Sequence, residues 1–296
     1  MQSPPESLSI KLPSGLTLAG LRWGASHRPL VLALHGWLDN AATFNELAPL
    51  LSDFQILAID FAGHGLSDHR PYGVSYHIWD NITDVLGLMN EIGCNTCHVL
   101  GHSMGAIVAM LLAVTFPERV KSIALIDGLW PLTNKPEEGP TQLRKALMRQ
   151  IQHHQRRMPV YSNFDEALAA RQRNTPLSLT AVHHLVERGL QKLPTGWQWR
   201  NDLRLTLPSP VRLTEEQADA FVQQLDKPSH LFLASNGLWQ QFPYLQEKMS
   251  TLNTITVTEV LGHHHFHLEI EGAIILAPLL RAFWHHYSEP NAYRIE

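Results

Sequence analysis

A serine with a glycine two residues to either side, at the junction of two apolar runs, constrains this chain more than any other feature. The segment reads Gly101-His102-Ser103-Met104-Gly105; it follows the mostly apolar residues 97–100 and opens a second apolar run, residues 106–114. That order predicts strand, tight turn and helix, with Ser103 at the tip of the turn. The glycines remove Cβ atoms that would collide in so sharp a bend. A serine placed there stands above a sheet edge, where a base and a carbonyl substrate both reach it.

The surrounding pattern supplies such a sheet. Residues 8–12 and 17–23 read as two strands about a Pro13-Ser14-Gly15 turn, and residues 30–34 as a short buried strand. A helix at 42–51, a strand at 55–59, a helix at 78–92, a strand at 98–100, the helix from 106 to 115 and a strand at 122–126 follow. This alternation predicts an α/β fold, with a mostly parallel sheet covered on both faces by helices. From 129 to 226 the pattern is helical and proline-punctuated, with helices expected at 141–157, 163–174, 178–188 and 214–225 and no strands. The alternation then resumes with a strand at 230–234, a helix at 244–249, a strand at 254–260 and a last helix at 272–286. The expected organisation is therefore a core of residues 1–128 and 227–296, interrupted by a helical insertion over 129–226.

Bulk properties narrow the function. The chain has 296 residues, a 44% hydrophobic fraction and a net charge of −4. Without a strong basic block, nucleic acid is not an expected partner; the basic stretch 144–157 reads as a solvated helix face. No apolar run approaches the ~18 residues of a membrane span, and the N-terminal Met1-Gln2-Ser3-Pro4-Pro5-Glu6-Ser7 lacks a signal-peptide pattern, so no membrane partner and a cytoplasmic location are expected. The two cysteines form Cys94-Asn95-Thr96-Cys97, placed after a helix and before a strand, the reverse of a redox pair of the thioredoxin type. They read as structural thiols. No feature sets an oligomeric state.

A serine hydroxyl needs an adjacent base, itself oriented by a third group. The base should follow the last strand, where Leu261-Gly262-His263-His264-His265-Phe266-His267-Leu268-Glu269 offers four histidines. The Gly-x-His phrase, with an acid five residues later, selects His264, with His265 as second choice. Histidines adjacent in an extended loop point different ways, so no metal site and no cofactor are expected. The acid is displaced: no Asp or Glu occurs from Lys227 to Gln246, and Asn236 stands where an acid commonly follows the strand after an insertion. Asp127, ending the strand after the serine helix, is the candidate, with Asp60 as the alternative. Oxyanion donors are expected from the backbone N–H of Met104 and of Trp37, in the loop His35-Gly36-Trp37-Leu38-Asp39-Asn40. His35, His102, Trp130, Trp197, Trp199 and Trp239 are candidate pocket residues. Arg200 reads as a surface or ion-paired side chain, with a substrate carboxylate as its other possible partner.

The serine turn, the His-Gly loop and the distal Gly-x-His, in the order Ser, Asp, His, resemble the α/β-hydrolase fold family. The phrases Asp60-Phe61-Ala62-Gly63-His64-Gly65-Leu66-Ser67-Asp68 and Trp197-Gln198-Trp199-Arg200-Asn201-Asp202-Leu203-Arg204-Leu205 are most similar to its serine-hydrolase-like branch. The early acid is also similar to that of some haloalkane dehalogenases, but those and the related epoxide hydrolases use an aspartate nucleophile where this chain has Ser103. The resemblance implies a cap over the active site formed by residues 129–226, and a serine esterase acting on a small carboxylic ester or thioester through an acyl-enzyme. Carbon–carbon bond hydrolysis, cofactor-free haloperoxidation and a non-catalytic receptor are the other activities the same residues would serve in this family.

Overall fold

The computed structural model describes residues 4–288 except 174, 242, 251 and 253. Eight strands form the central sheet: β1 (Glu6–Lys11), β2 (Thr17–Trp23), β3 (Leu30–Leu34), β4 (Gln55–Ile59), β5 (Cys97–His102), β6 (Val120–Ile126), β10 (Ser229–Asn236) and β11 (Thr256–His263). Their spatial order is β1-β2-β4-β3-β5-β6-β10-β11. β1 and β2 are antiparallel to their neighbours and all the other pairings are parallel. The C-terminal ends of β3, β4, β5, β6, β10 and β11 therefore share one edge. In an open parallel sheet that edge is where ligands bind.

Side-chain alternation assigns the two faces. In β3, Leu32 and Leu34 join the layer that contains helices α1 (Asp80–Glu91) and α2 (Met104–Thr115), while Val31 and Ala33 join the layer of α8 (Ile270–Tyr287). β6 repeats the division, with Ile123 and Leu125 on one face and Ala124 and Ile126 on the other. Both faces are covered, so these strands read as continuous apolar runs.

Two expectations change. The helix expected at 42–51 is instead two short 3₁₀ turns, Ala41–Phe44 and Ala48–Leu50. Asn40 caps the first turn through Ala42 N–H, and Pro49, which has no N–H to donate, is the middle residue of the second. The insertion is also not purely helical. Besides α3 (Gly139–Gln152), α4 (Phe164–Arg173), α5 (Leu179–Gly189) and α6 (Glu215–Gln223), it contains a three-stranded antiparallel sheet of β7 (Val160–Tyr161), β9 (Gly196–Trp199) and β8 (Leu190–Leu193). The Pro194-Thr195-Gly196 turn between two four-residue strands was the available hairpin signal, with Gly196 at φ +140° where a side chain would strike Tyr161 O. Asn174, where the α4 helix was expected to end, lies outside the described residues, as do residues 1–3 and 289–296 of the core range. α7 (Pro243–Ser250) follows β10. No helix among the described residues is long and apolar enough to cross a membrane.

The interior carries an unusual load of histidine. His35 and His64 are fully buried, and burial lowers their pKa values to about 4 and about 3 from the ordinary 6.5. Both are neutral in the folded chain, whereas the unfolded chain protonates them below pH ~6.5. The unfolded state then binds more protons, so their contribution is complete above pH ~6.5 and is lost as pH falls toward about 4. Denaturant unfolding at pH 7 and pH 4.5 should show a loss on the order of 2 kcal/mol per histidine. The loss should shrink in His35→Gln, and an unchanged pH dependence in that variant would contradict the assignment.

Candidate active site

Ser103 caps the N-terminus of α2 in a left-handed conformation, φ 51° and ψ −115°. The turn is tight enough that a Cβ on Gly105 would lie 2.1 Å from Leu34 O, and one on Gly101 would lie 2.4 Å from Gly105 O. Only glycine lets the elbow approach β3 this closely. Among the described residues three non-glycines have positive φ: Ser103, Asp127 at 46° and Leu38 at 60°. All three stand at the C-terminal edge of the sheet, after β5, β6 and β3. Backbone held in this region costs roughly 1–3 kcal/mol per residue and persists where the surroundings enforce it.

Asp127 and His264 meet across the sheet. Nδ1 of His264 donates to Asp127 Oδ2 at 2.5 Å. The same carboxylate accepts the N–H of Ala234 at 3.1 Å and of Leu238 at 3.3 Å. Asp127 directly follows β6, yet its carboxylate reaches over the end of β10 and lies beside Gly237, whose Cβ would fall 2.4 Å from Oδ1. Asn236-Gly237 thus provides the space for a carboxylate supplied by the neighbouring strand. With Nδ1 engaged by Asp127, Nε2 is the ring nitrogen of His264 left to accept a proton. The His264 carbonyl accepts from Nε2 of buried His102 at 3.0 Å, tying the loop after β11 to the residue before Ser103.

Asp60, the alternative acid, is committed elsewhere. Its buried carboxylate accepts Ala41 N–H at 2.7 Å, Leu66 N–H at 2.8 Å and Arg188 Nε at 3.0 Å. His265, the alternative base, turns away and bonds Asp39 Oδ2 at 3.0 Å, while Arg171 of α4 bonds Oδ1 at 2.6 Å. Burial pushes the Asp39 carboxyl upward, but His265 and Arg171 outweigh it and hold the group well below the ordinary range. Asp39, His102 and His265 place three possible metal-ligand atoms within 4.8 Å of one another. The carboxylate already carries a guanidinium and an imidazole, which is an ion-pair arrangement, and Arg171 would repel a cation there.

A cavity of about 790 Å³ opens beside Ser103 and Asp127. Trp37, Met104, Trp130 and Trp239 line it. Among the described residues the N–H groups of Trp37 and Met104 donate to no protein acceptor, leaving two donors beside the serine. Trp130 Nε1 bonds Asp219 at 3.0 Å and Trp239 Nε1 bonds Ala234 O at 2.8 Å, so each indole presents carbon to the cavity with its polar edge satisfied.

Four expected pocket residues lie elsewhere. His35 donates from Nδ1 to Gly36 O at 2.7 Å and accepts Phe61 N–H at 3.0 Å, bracing two loops from behind. His102 is buried under the loop after β11, against His264, His265 and His267. Trp197 and Trp199 pack on the insertion's own apolar cluster with Val182, Leu185 and Val186. They sit on β9, whose sheet the helical reading of the insertion did not include. Arg200 donates from Nε to Leu190 O at 2.9 Å, inside the insertion. Conversely His64 and Tyr76 line the cavity unannounced. The signal for His64 was its place in the loop after β4, on the same strand edge as the others.

The insertion is fastened over this edge by polar contacts. Trp37 Nε1 donates to Leu205 O at 2.9 Å, Asn40 Nδ2 to Leu185 O at 2.9 Å and Asp202 N–H to Gly63 O at 2.8 Å. Leu205, Leu207 and Leu213 of the insertion complete the cavity wall.

Comparison with known proteins converges on one group. A family model described as the alpha/beta hydrolase fold matches residues 29–248. A serine hydrolase-like protein of Danio rerio is 34% identical over 87% of this chain and 82% of its own. Serine hydrolase-like protein 2 of Homo sapiens is 35% identical over 88% of each chain. The crystal structure of a hypothetical protein from Pseudomonas aeruginosa PAO1 superposes with a TM-score of 0.91 at 43% identity, covering 95% of this chain and 99% of that one.

Because the Asp127 carboxylate occupies the space over Gly237, Gly237→Ala should displace it and disturb the His264 contact. The expected result is a fall in turnover of about 10²-fold, the scale of a 1 Å misplacement, with the circular dichroism spectrum unchanged. Wild-type turnover in a folded variant would remove Asp127 from the site.

Proposed function

The chain belongs to the α/β-hydrolase fold family, in its serine hydrolase-like branch, and on that footing we propose that it hydrolyses carboxylic esters or thioesters through an acyl-enzyme on Ser103. The observation that carries the reading is the 2.5 Å His264–Asp127 pair at the same sheet edge as a serine held in a left-handed turn. Ser103 Oγ attacks the carbonyl carbon as its proton passes to His264 Nε2. The carbonyl π pair moves onto oxygen, where the Trp37 and Met104 N–H groups receive it. Collapse breaks the bond to the alkoxide or thiolate, which takes the proton from His264. Water then attacks the acyl-serine by the same route, releasing the carboxylic acid and restoring Ser103.

Asp127 holds His264 with Nδ1 protonated and Nε2 free to accept, and stabilises the imidazolium formed during attack. Preorganised N–H donors at the oxyanion contribute roughly 3–4 kcal/mol each to the transition state. Residues 129–226 act as the cap, supplying Trp130 and the leucine wall of the cavity. The Arg171–Asp39 and Arg188–Asp60 pairs anchor that cap to the loops after β3 and β4.

A fluorophosphonate probe should label the wild-type chain and not Ser103→Ala; absence of wild-type labelling, or equal labelling of the two, would refute the reading. On a short p-nitrophenyl ester, Asp127→Asn should lower kcat by about 10⁴-fold through the wrong imidazole tautomer. His264→Ala should abolish turnover and His265→Ala should retain much of it, since His265 serves Asp39. The reverse order would move the base by one residue.

A further inference from the structure

The Ser103 cavity continues well beyond what a small acyl group would fill. Met104, Ile107, Leu111 and Thr115 of α2 all line it. Their spacing of three and four residues places them on one stripe of the helix, starting next to Ser103. Met104 and Ile107 are half-buried, whereas Ala106, Val108, Ala109 and Met110 on the other faces are fully buried. Leu111, although buried, also borders the cavity, so the 104–107–111–115 stripe is the side of α2 turned toward it. Leu231 and Leu233 face it from β10, two residues apart on one side of the strand, and Phe221 of α6 and Met249 of α7 close the flank. From Met104 to Thr115 the helix advances ~17 Å at 1.5 Å per residue. Thr115 is exposed, so the far end of the channel reaches the surface.

We propose that this channel holds a long unbranched acyl chain, of roughly 10–14 carbons at ~1.3 Å per methylene, extended along α2 from Ser103 toward Thr115, so that the substrate is a long-chain ester or thioester. The identification of the scissile bond rests on the reading of Ser103 as nucleophile; the channel rests on the lining alone. Apolar walls on α2, β10, α6 and α7 match a saturated chain, and no charged side chain interrupts the stripe between Met104 and Thr115. The side chains of Ile107 and Leu111 stand one and two turns from Ser103, so each controls a different depth.

The test is a series of p-nitrophenyl esters from acetyl to palmitoyl, together with calorimetric binding of laurate to Ser103→Ala. For the wild type, kcat/KM should rise about three- to fourfold per added methylene, the factor that corresponds to burying one CH₂. It should level off near 12 carbons, where the chain emerges at Thr115. Leu111→Trp should remove the gain on lauroyl while the gain from acetyl to butyryl persists, and Ile107→Trp should end the gain at a shorter chain, each with a wild-type circular dichroism spectrum. A profile highest at acetyl, together with no laurate binding, would overturn the channel while leaving the nucleophile in place. Laurate binding without turnover of any ester would overturn the nucleophile and support the channel.

Discussion

The carboxylate of Asp127 is the point on which the site depends. It leaves β6, crosses the end of β10 and receives hydrogen bonds from Ala234, Leu238 and His264. One side chain thereby aligns three neighbouring elements of the sheet edge. The geometry requires three local concessions: a left-handed backbone at Asp127 itself, a glycine at 237 where any side chain would displace the carboxylate, and a second glycine at 128 that clears Ser103 O. None of these would be stable in isolation. They are held because the parallel strands on either side are buried on both faces and cannot move independently.

Behind that carboxylate the molecule uses histidine as neutral buried structure. His35 bridges the loops after β3 and β4, His102 supports the carbonyl of His264, and His267 bonds Thr43 at 3.0 Å. Burial lowers the pKa of each, so they act as fixed hydrogen-bonding groups and not as titrating ones near neutrality. The contrast with His264 is one of position: it lies in the same loop as His265 and His267 but reaches the carboxylate beside the cavity. The insertion joins this framework through buried charge pairs, Arg171 with Asp39 and Arg188 with Asp60. Such pairs gain little net stability, because removing two charges from water is costly. Their directionality instead fixes how the insertion sits on the strand edge, and hence the shape of the cavity.

Much of this was legible in the chain. The alternation of apolar runs and helical periods located seven of the eight sheet strands to within a few residues of their ends and β11 to within about three. The helix starts expected at 178 and 214 fall on Ser178 and Thr214, whose side chains cap α5 and α6. The absence of an acid near Asn236 and the position of Asp127 at a strand end pointed to the carboxylate that His264 meets. Short segments were less legible. Pro49 divides the expected helix at 42–51 into 3₁₀ turns, and the hairpin Leu190–Trp199 was masked by the helices around it.

What the sequence alone determined is what depends on local chemistry: the alternation of strands and helices, the glycine-bounded serine, and an acid and a histidine at strand ends. These follow from backbone sterics and the periods of helix and strand, which act over a few residues. The tertiary structure decided which aromatic and histidine side chains meet the cavity. Trp130 and Trp239 face it while Trp197 and Trp199 do not, and His64 lines it while His35 and His102 brace the loops behind. That sorting depends on how β9 packs against β7, β8 and α4, and on how α6 and the loop after β11 pack against elements a hundred or more residues away. Composition and periodicity carry no record of that direction, because packing partners are chosen by the shape and polarity of surfaces that exist only once the chain has folded.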